Sequence, residues 1–150
     1  MFGLSASERV HAVVVTARTY NQTSNGTFGQ FIPGLTATDG VGLNERAVQV
    51  LQVEESDRFY TNLGIVELTG NPVTVEISAS APDSKVSPKT QITLAGNAFS
   101  QLNHVLQRLG LGTTYNARIA MRVISGNGRI SGYGSLIDIR TKDPTYVPAQ

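Results

Sequence analysis

The 150-residue sequence predicts a mainly-β fold, a two-sheet antiparallel β-sandwich with one short helix near residues 97–109. Three observations carry that expectation. Most apolar residues fall in short β-branched runs separated by Gly, Pro, Asn and Asp, the pattern of strands joined by turns. Within several runs apolar and polar residues alternate with period two, which gives a strand one face for a core and one for water. One segment, "NAFSQLNHVLQRLG" (97–110), instead spaces its apolar residues as a helix does.

Strands are expected near Val10–Arg18, Thr27–Ile32, Ala47–Val53, Tyr60–Leu68, Val73–Ser80, Lys89–Leu94, Ala117–Ile124 and Ile130–Ile139. Alternation is clearest where Val73, Val75 and Ile77 face Thr74, Glu76 and Ser78, and where Val48 and Val50 sit beside Gln49 and Gln52. "SGNGR" (125–129) reads as a hairpin turn, because Gly and Asn accept the positive φ such turns need. The small residues of "GYGSL" (132–136) mark a strand that another part of the chain approaches closely. In the helical segment, Asn97 is placed to cap the start and Gly110 to end it. Phe99, Leu102, Leu106 and Leu109 form the stripe that closes one end of the sandwich, with Gln101, His104, Gln107 and Arg108 toward water.

Composition removes several function classes. Charged residues make up 15% of the chain and the net charge is +1, with Lys and Arg scattered singly, so no basic footprint for nucleic acid is present. There is no Cys, which removes disulfides, thiolate nucleophiles and Cys-based zinc sites. The longest apolar run, Ala12–Val15, is far too short for a helical membrane span, and the opening twenty residues lack the pattern of a signal peptide.

The two ends of the chain echo one another. "VVTARTYNQTSNGTFGQFIP" (14–33) and "LIDIRTKDPTYVP" (136–148) each run an apolar strand into Arg-Thr, at Arg18-Thr19 and Arg140-Thr141, and then cross a polar loop. They emerge as Thr27, Phe28, Ile32, Pro33 and as Thr145, Tyr146, Val147, Pro148. A short strand stopped by Pro is a sheet-edge device, since Pro cannot donate to a ladder. Residues 1–33 therefore read as a hairpin like the end of a preceding module, and 34–150 as a β-sandwich module ending in its own copy, the whole forming one compact domain. "RTYNQTSNGTFGQFIP" (18–33), "RFYTNLGIVEL" (58–68), "NPVTVEI" (71–77), "AFSQLNHVL" (98–106) and "IDIRTKDPTYVP" (137–148) together resemble the tandem immunoglobulin-like or fibronectin-like β-sandwich modules of large secreted or surface-attached bacterial proteins. The resemblance implies an extracellular or cell-surface scaffold or adhesion role and contributes no catalytic residues. A chain that opens on a hairpin of this kind fits an excised fragment, or a subunit that lends the hairpin to a neighbour.

Chemistry is thinly supplied. His11 alternates with Val10 and Ala12 in a strand, and His104 has no carboxylate at recognisable spacing, so neither reads as a base or a metal ligand. "GNGRISG" (126–132) lacks the spacing and the following helix of a phosphate loop, and "GYGSL" is no nucleophile elbow. Asp138 and Asp143 flank the Arg-Thr turn, where "KDPT" (142–145) reads as Asp capping backbone N–H groups, with too few oxygens for calcium. "EESDR" (54–58) reads as a solvated loop. "YNQTSNG" (20–26) reads as a polar surface loop, and surface loops carry recognition.

The expected function is thus non-enzymatic, with no cofactor and no metal. The chain reads as a structural or adhesion module that associates through sheet edges and loops, by strand donation into head-to-tail assemblies in its most specific form. The alternative is a β-sandwich that binds carbohydrate or another ligand. The candidate interaction surface is Tyr20, Asn21, Asn25, Phe28, Phe31, Arg140, Asp143 and Tyr146, with core packing as the ordinary alternative for the two Phe residues. Expected partners are neighbouring modules or identical chains, and carbohydrate under the alternative, with no nucleic acid and no membrane insertion.

Overall fold

A computed structural model describes residues 14–82 and 84–150. It is mainly β, with antiparallel sheets throughout. Strands β1 (Thr16–Thr23) and β2 (Gly26–Pro33) pair only with each other, as a two-stranded arm turning at Ser24 and Asn25. The body that follows contains β3 (Val48–Glu55), β4 (Phe59–Glu67), β5 (Val73–Ser80), β6 (Lys89–Leu94), β7 (Phe99–Leu102), a one-turn helix α1 (Val105–Arg108), β8 (Thr114–Gly126), β9 (Ile130–Asp138) and β10 (Pro144–Pro148). A front sheet runs in the order β10-β9-β4-β7 and a back sheet in the order β3-β8-β5-β6. The two pack face to face in a sandwich-like arrangement around one core cluster.

Period two builds that core. β5 alternates buried and half-buried along its length, sending Val73, Val75, Ile77 and Ala79 inward. β4 contributes Leu63 and Ile65, and β8 contributes Ala117, Ile119, Met121 and Val123. In β3 the inward residues are Val48, Val50 and Val53, a spacing that breaks the alternation. A bulge resolves it: the register with β8 slips between Val50 and Val53, and Gln52 takes a φ of 57°. Gly132 and Gly134 give the sheets room to meet, because a Cβ on Gly134 would lie 2.7 Å from Val50 Cγ1 and one on Gly132 would lie 2.9 Å from Met121 Cε. The close approach read from "GYGSL" is therefore present.

Glu67 ties the loops at one end of the sandwich together. It is 2% exposed and accepts the N–H groups of Thr69 (2.8 Å), Gly70 (2.8 Å), Asn97 (2.8 Å) and Arg129 (3.1 Å), together with the Thr69 hydroxyl at 2.5 Å. Burial works against its charge, but the Thr69 hydroxyl and the Asn97, Thr69 and Gly70 amides outweigh it and hold the carboxyl down to about 2. Beside it, Arg129 forks onto Glu45 at 2.6 and 3.0 Å and also donates to the carbonyls of Ala37 and Gly40. That cluster fixes the segment that leads from the arm into the body. On the opposite seam, Gln49 and Gln150 exchange N–H···O=C bonds of 2.8 and 2.9 Å, and Ala149 donates to Gly132 at 3.1 Å, so the chain after β10 bridges the two sheets.

Several expectations are corrected. The helix at 97–109 is only Val105–Arg108; Phe99–Leu102 is instead an edge strand paired with Leu63–Val66. The helical spacing arose because strand and turn share the apolar residues, Phe99 going to the outer face while Leu106 enters the core. Asn97 is no cap: it and His104 take positive φ, at 58° and 50°, and bracket the strand, while Gly110 ends the helix as expected with a φ of 85°. "SGNGR" is no hairpin, because β8 lies in the back sheet and β9 in the front. It crosses between layers, with Gly126 and Gly128 lying against the backbone of Asn71, Pro72 and Val73. "YNQTSNG" is strand up to Thr23 and then a tight turn. Of the expected strand Val10–Arg18, residues 10–13 lie outside the described residues, as does His11. The terminal echo holds only in part: both segments are antiparallel pairs ending at Pro33 and Pro148, but Arg18-Thr19 lies within a strand whereas Arg140-Thr141 lies in a turn.

Candidate functional site

The outer face of the front sheet is formed by the residues that alternate with the core. On β4 these are Tyr60, Asn62, Gly64 and Val66, and on β9 Ser131, Tyr133, Ser135 and Ile137, placed side by side by the pairing of the two strands. Gly64 is opposite Tyr133, and the ring covers it: a Cβ there would come within 2.5 Å of Tyr133 Cε1 and 2.7 Å of Cζ. The absence of a side chain at Gly64 is what lets Tyr133 lie down on the sheet. Phe99 of β7 and Tyr146 of β10 flank it in stacked contact, with ring centroids 6.5 and 5.3 Å away and interplanar angles of 13° and 29°. Three strands on either side of one glycine thus carry a continuous aromatic row.

The arm lies over this face. Its alternation puts Phe28, Gln30 and Ile32 of β2 toward the body and leaves every residue of β1 exposed. Gln30 is buried and accepts a hydrogen bond from the Ser135 hydroxyl at 3.0 Å. Between arm and sheet runs a slot with two ends that share Thr19 and Tyr133. One end, about 460 Å³, is apolar, walled by Ile32, Pro33, Leu35, Val66, Leu68 and Phe99. The other, about 310 Å³, is the more polar end, where Asn21, Gln30, Asn62, Gln101, Ser135 and Lys142 stand among Tyr20, Phe28, Ile137 and Pro144. Burial raises the phenol of Tyr133, and burial followed by the neighbouring Tyr133 raises that of Tyr146, so both rings are neutral across the physiological range.

The expected surface residues divide among three places. Tyr20, Asn21 and Phe28 border the polar end of the slot, and Tyr146 lines the apolar end. Phe31 is on the far face of the arm, 56% exposed, and Asn25 sits at its tip, donating its N–H to the Thr23 hydroxyl. Neither Phe28 nor Phe31 belongs to the body's core cluster. Arg140 and Asp143 are in the β9–β10 turn, and there the capping carboxylate is Asp138, not Asp143: it accepts the N–H groups of Arg140 (2.7 Å) and Thr141 (3.0 Å). Those bonds lower its carboxyl below the usual aspartate value. Asp143 follows Lys142, whose φ is 62°, and its own N–H goes to the Thr141 hydroxyl.

Sequence reading missed Gln30, Asn62, Gln101 and Ser135, which only the packing of the arm brings together. It also missed the partner of His104. Glu55 is not in a solvated loop but buried at the end of β3, and its Oε1 lies 2.9 Å from His104 Nδ1. The imidazole stacks on Tyr60 with centroids 4.2 Å apart, and Asn62 Oδ1 accepts the His104 N–H at 3.1 Å. Those contacts pin the entry to α1 onto β3 and β4. Among the described residues no group of three or more His, Cys, Asp or Glu is placed to hold a metal ion, and no helix is long and apolar enough to cross a membrane.

No protein-family model, curated protein or solved structure matches this chain.

Proposed function

We propose that this chain is a non-enzymatic structural and adhesion module, working outside the cell or at its surface, that joins neighbouring modules or identical chains by backbone pairing at the free edge of β1. One observation carries the reading. A strand edge with unpaired N–H and C=O groups templates further pairing unless something blunts it; among the described residues six edges are free, of which four are blunted and a fifth, that of β2, lies beside β10 and ends at Pro33. β10 is five residues bracketed by Pro144 and Pro148, and β7 is four residues long. β6 follows Pro88 and opens with exposed Lys89. β3 is bulged at Gln52 and covered at Gln49 by Gln150. β1 has eight exposed residues, no Pro, no bulge, and Arg18 as its one charge.

The register says which groups it offers. Val15 accepts the Gly34 N–H at 2.8 Å, so Val15, Ala17, Thr19, Asn21 and Thr23 bond inward to β2. Thr16, Arg18, Tyr20 and Gln22 then point their backbone groups outward. A two-stranded ribbon is marginally stable alone, and a third strand on this edge stabilises it. The immunoglobulin-like kinship belongs to the same proposal. Such sandwiches pair their second strand with the fifth and their third with the sixth; counting from β3, the pairs β4–β7 and β5–β8 do the same. The first, fourth and seventh, β3, β6 and β9, lie on exchanged sheets. Location outside the cell is supported by the modular resemblance of the sequence.

Proline placement is the test. Arg18→Pro removes one outward N–H and leaves the bonds to β2 intact, whereas Thr19→Pro breaks the arm itself; Arg18→Thr controls for the charge. Sedimentation should show concentration-dependent association that Arg18→Thr retains and Arg18→Pro weakens by about tenfold, the worth of one net hydrogen bond. A chain that stays monomeric while β1 is ordered, or one whose association survives Arg18→Pro, excludes this function.

A further inference from the structure

We propose that the polar end of the slot between the arm and the front sheet binds a neutral saccharide, laid on the Tyr133 ring and held by the side-chain amides of Gln30, Asn62 and Gln101. This goes beyond association through β1, which uses backbone groups along the edge of that strand and not the side chains of the slot.

The chemistry of the walls selects the ligand class. Lys142 is the one charged residue among them and no carboxylate faces it, so a cationic ligand finds no partner. An anionic group is ordinarily held by a guanidinium fork or by converging backbone N–H groups, and the slot has neither. An extended peptide docks on an open strand edge, but the floor strands β4 and β9 are both paired on either side. What remains is a neutral, hydroxyl-rich molecule with one apolar face.

The walls are also preset to donate. Asn62 spends its carbonyl oxygen on the His104 N–H, which fixes the amide orientation and turns Nδ2 away from that bond. Gln30 spends its oxygen on Ser135. Neither amide nitrogen has a hydrogen-bond partner among the described residues, and neither is fully buried, so both donors of these slot-lining side chains are left for a ligand. Gln101 stands beside Gly64 in the sheet, its Nε2 2.7 Å from Asn103 Oδ1, which leaves its carbonyl to accept from a hydroxyl. Tyr133 cannot swing away, because Phe99 and Tyr146 brace it on both sides and its lower face rests on Gly64. A rigid aromatic platform suits the C–H face of a pyranose, and amides around its rim suit the hydroxyls. At about 310 Å³ the polar end is at the small end of ligand clefts, and the apolar end continues past the same ring.

The experiment uses the full chain, labelled with ¹⁵N. It is screened on an array of neutral gluco-, manno-, galacto- and N-acetylglucosamine oligomers together with acidic glycans, and each hit is then titrated by calorimetry and NMR. The expected result is binding of a neutral oligomer that shifts the side-chain NH₂ resonances of Gln30 and Asn62. Tyr133→Leu should weaken it at least about tenfold, and Gln101→Ala, whose side chain has a single exposed partner, by about threefold to tenfold. Melting temperatures confirm that the variants are folded. Arg18→Pro should leave binding unchanged, which separates this proposal from association through β1. No neutral oligomer bound at millimolar concentration, binding insensitive to both substitutions, or preference for acidic glycans or for peptides overturns it.

Discussion

At the scale of single residues, Glu67 concentrates the most structural consequence in one side chain. A carboxylate 2% exposed and held by five donors from three loops is tolerated because its charge is matched. Glu67→Gln replaces an acceptor oxygen with an NH₂ group facing amides that also donate, and should cost on the order of 3 kcal/mol, measured by chemical denaturation. The pH dependence has a definite sign. The carboxyl titrates near 2 in the folded chain against an ordinary 4.5, so its contribution is complete above about 4.5 and is lost as pH falls toward 2. Acid denaturation of the parent should therefore be steeper below pH 4.5 than that of Glu67→Gln. None of this was legible in the sequence, where "VEL" is an ordinary strand end. Donors at Asn97 and Arg129 reach Glu67 only because the fold brings distant loops together. The same holds for Glu55 and His104, forty-nine positions apart, and for the four amide and hydroxyl side chains of the slot. What could be read locally was the alternation of Val73, Val75 and Ile77 and the need for small residues at Gly132 and Gly134, since those follow from period and volume alone.

At the scale of elements, the arm and the body differ in how they are held. Among the described residues no backbone ladder joins β1 or β2 to either sheet, and the arm rests on side-chain contact, of which Gln30 with Ser135 is the one hydrogen bond. Deleting residues 1–33 should leave both four-stranded sheets folded, with the sheet signature in circular dichroism retained. It should also expose Tyr133, Tyr146 and Val66, read as increased binding of a hydrophobic dye. Collapse of the body on deletion would mean that the arm is part of its core. Element boundaries show where sequence patterns mislead. Phe99, Leu102 and Leu106 fit a helix by spacing, yet Phe99–Leu102 is a strand, because pairing with β4 outweighs a period sampled over three residues. "SGNGR" has hairpin composition, but turn residues report a change of direction and carry no information about which sheet receives the next strand.

At the scale of the whole molecule, the two sheets are sewn together at the β3–β10 seam by Gln49, Gln150, Ala149 and Gly132. Removing Ala149 and Gln150 deletes three backbone bonds there and should lower stability by about 2–4 kcal/mol, at about 1 kcal/mol net for each bond. Hydrogen exchange should locate the effect at the Gln49 amide, and an unchanged protection factor at that position would show that the seam is not closed in solution. Short β-branched runs and period-two alternation foretold a mainly-β body correctly; how strands were shared between layers was beyond them, since both layers draw on the whole length of the chain.

That sharing governs how the protein comes into being. β8 is the only strand joining β3 to β5, and β9 the only one joining β4 to β10, so each layer waits for its middle member from the last third of the chain. Emerging from a ribosome, the first hundred residues can close the β1–β2 and β5–β6 ribbons but neither sheet, and long-range pairings of this kind assemble slowly. Newborn copies on one messenger therefore carry an uncovered β1 alongside half-finished layers, and any helper that shields nascent polypeptides has its longest task here.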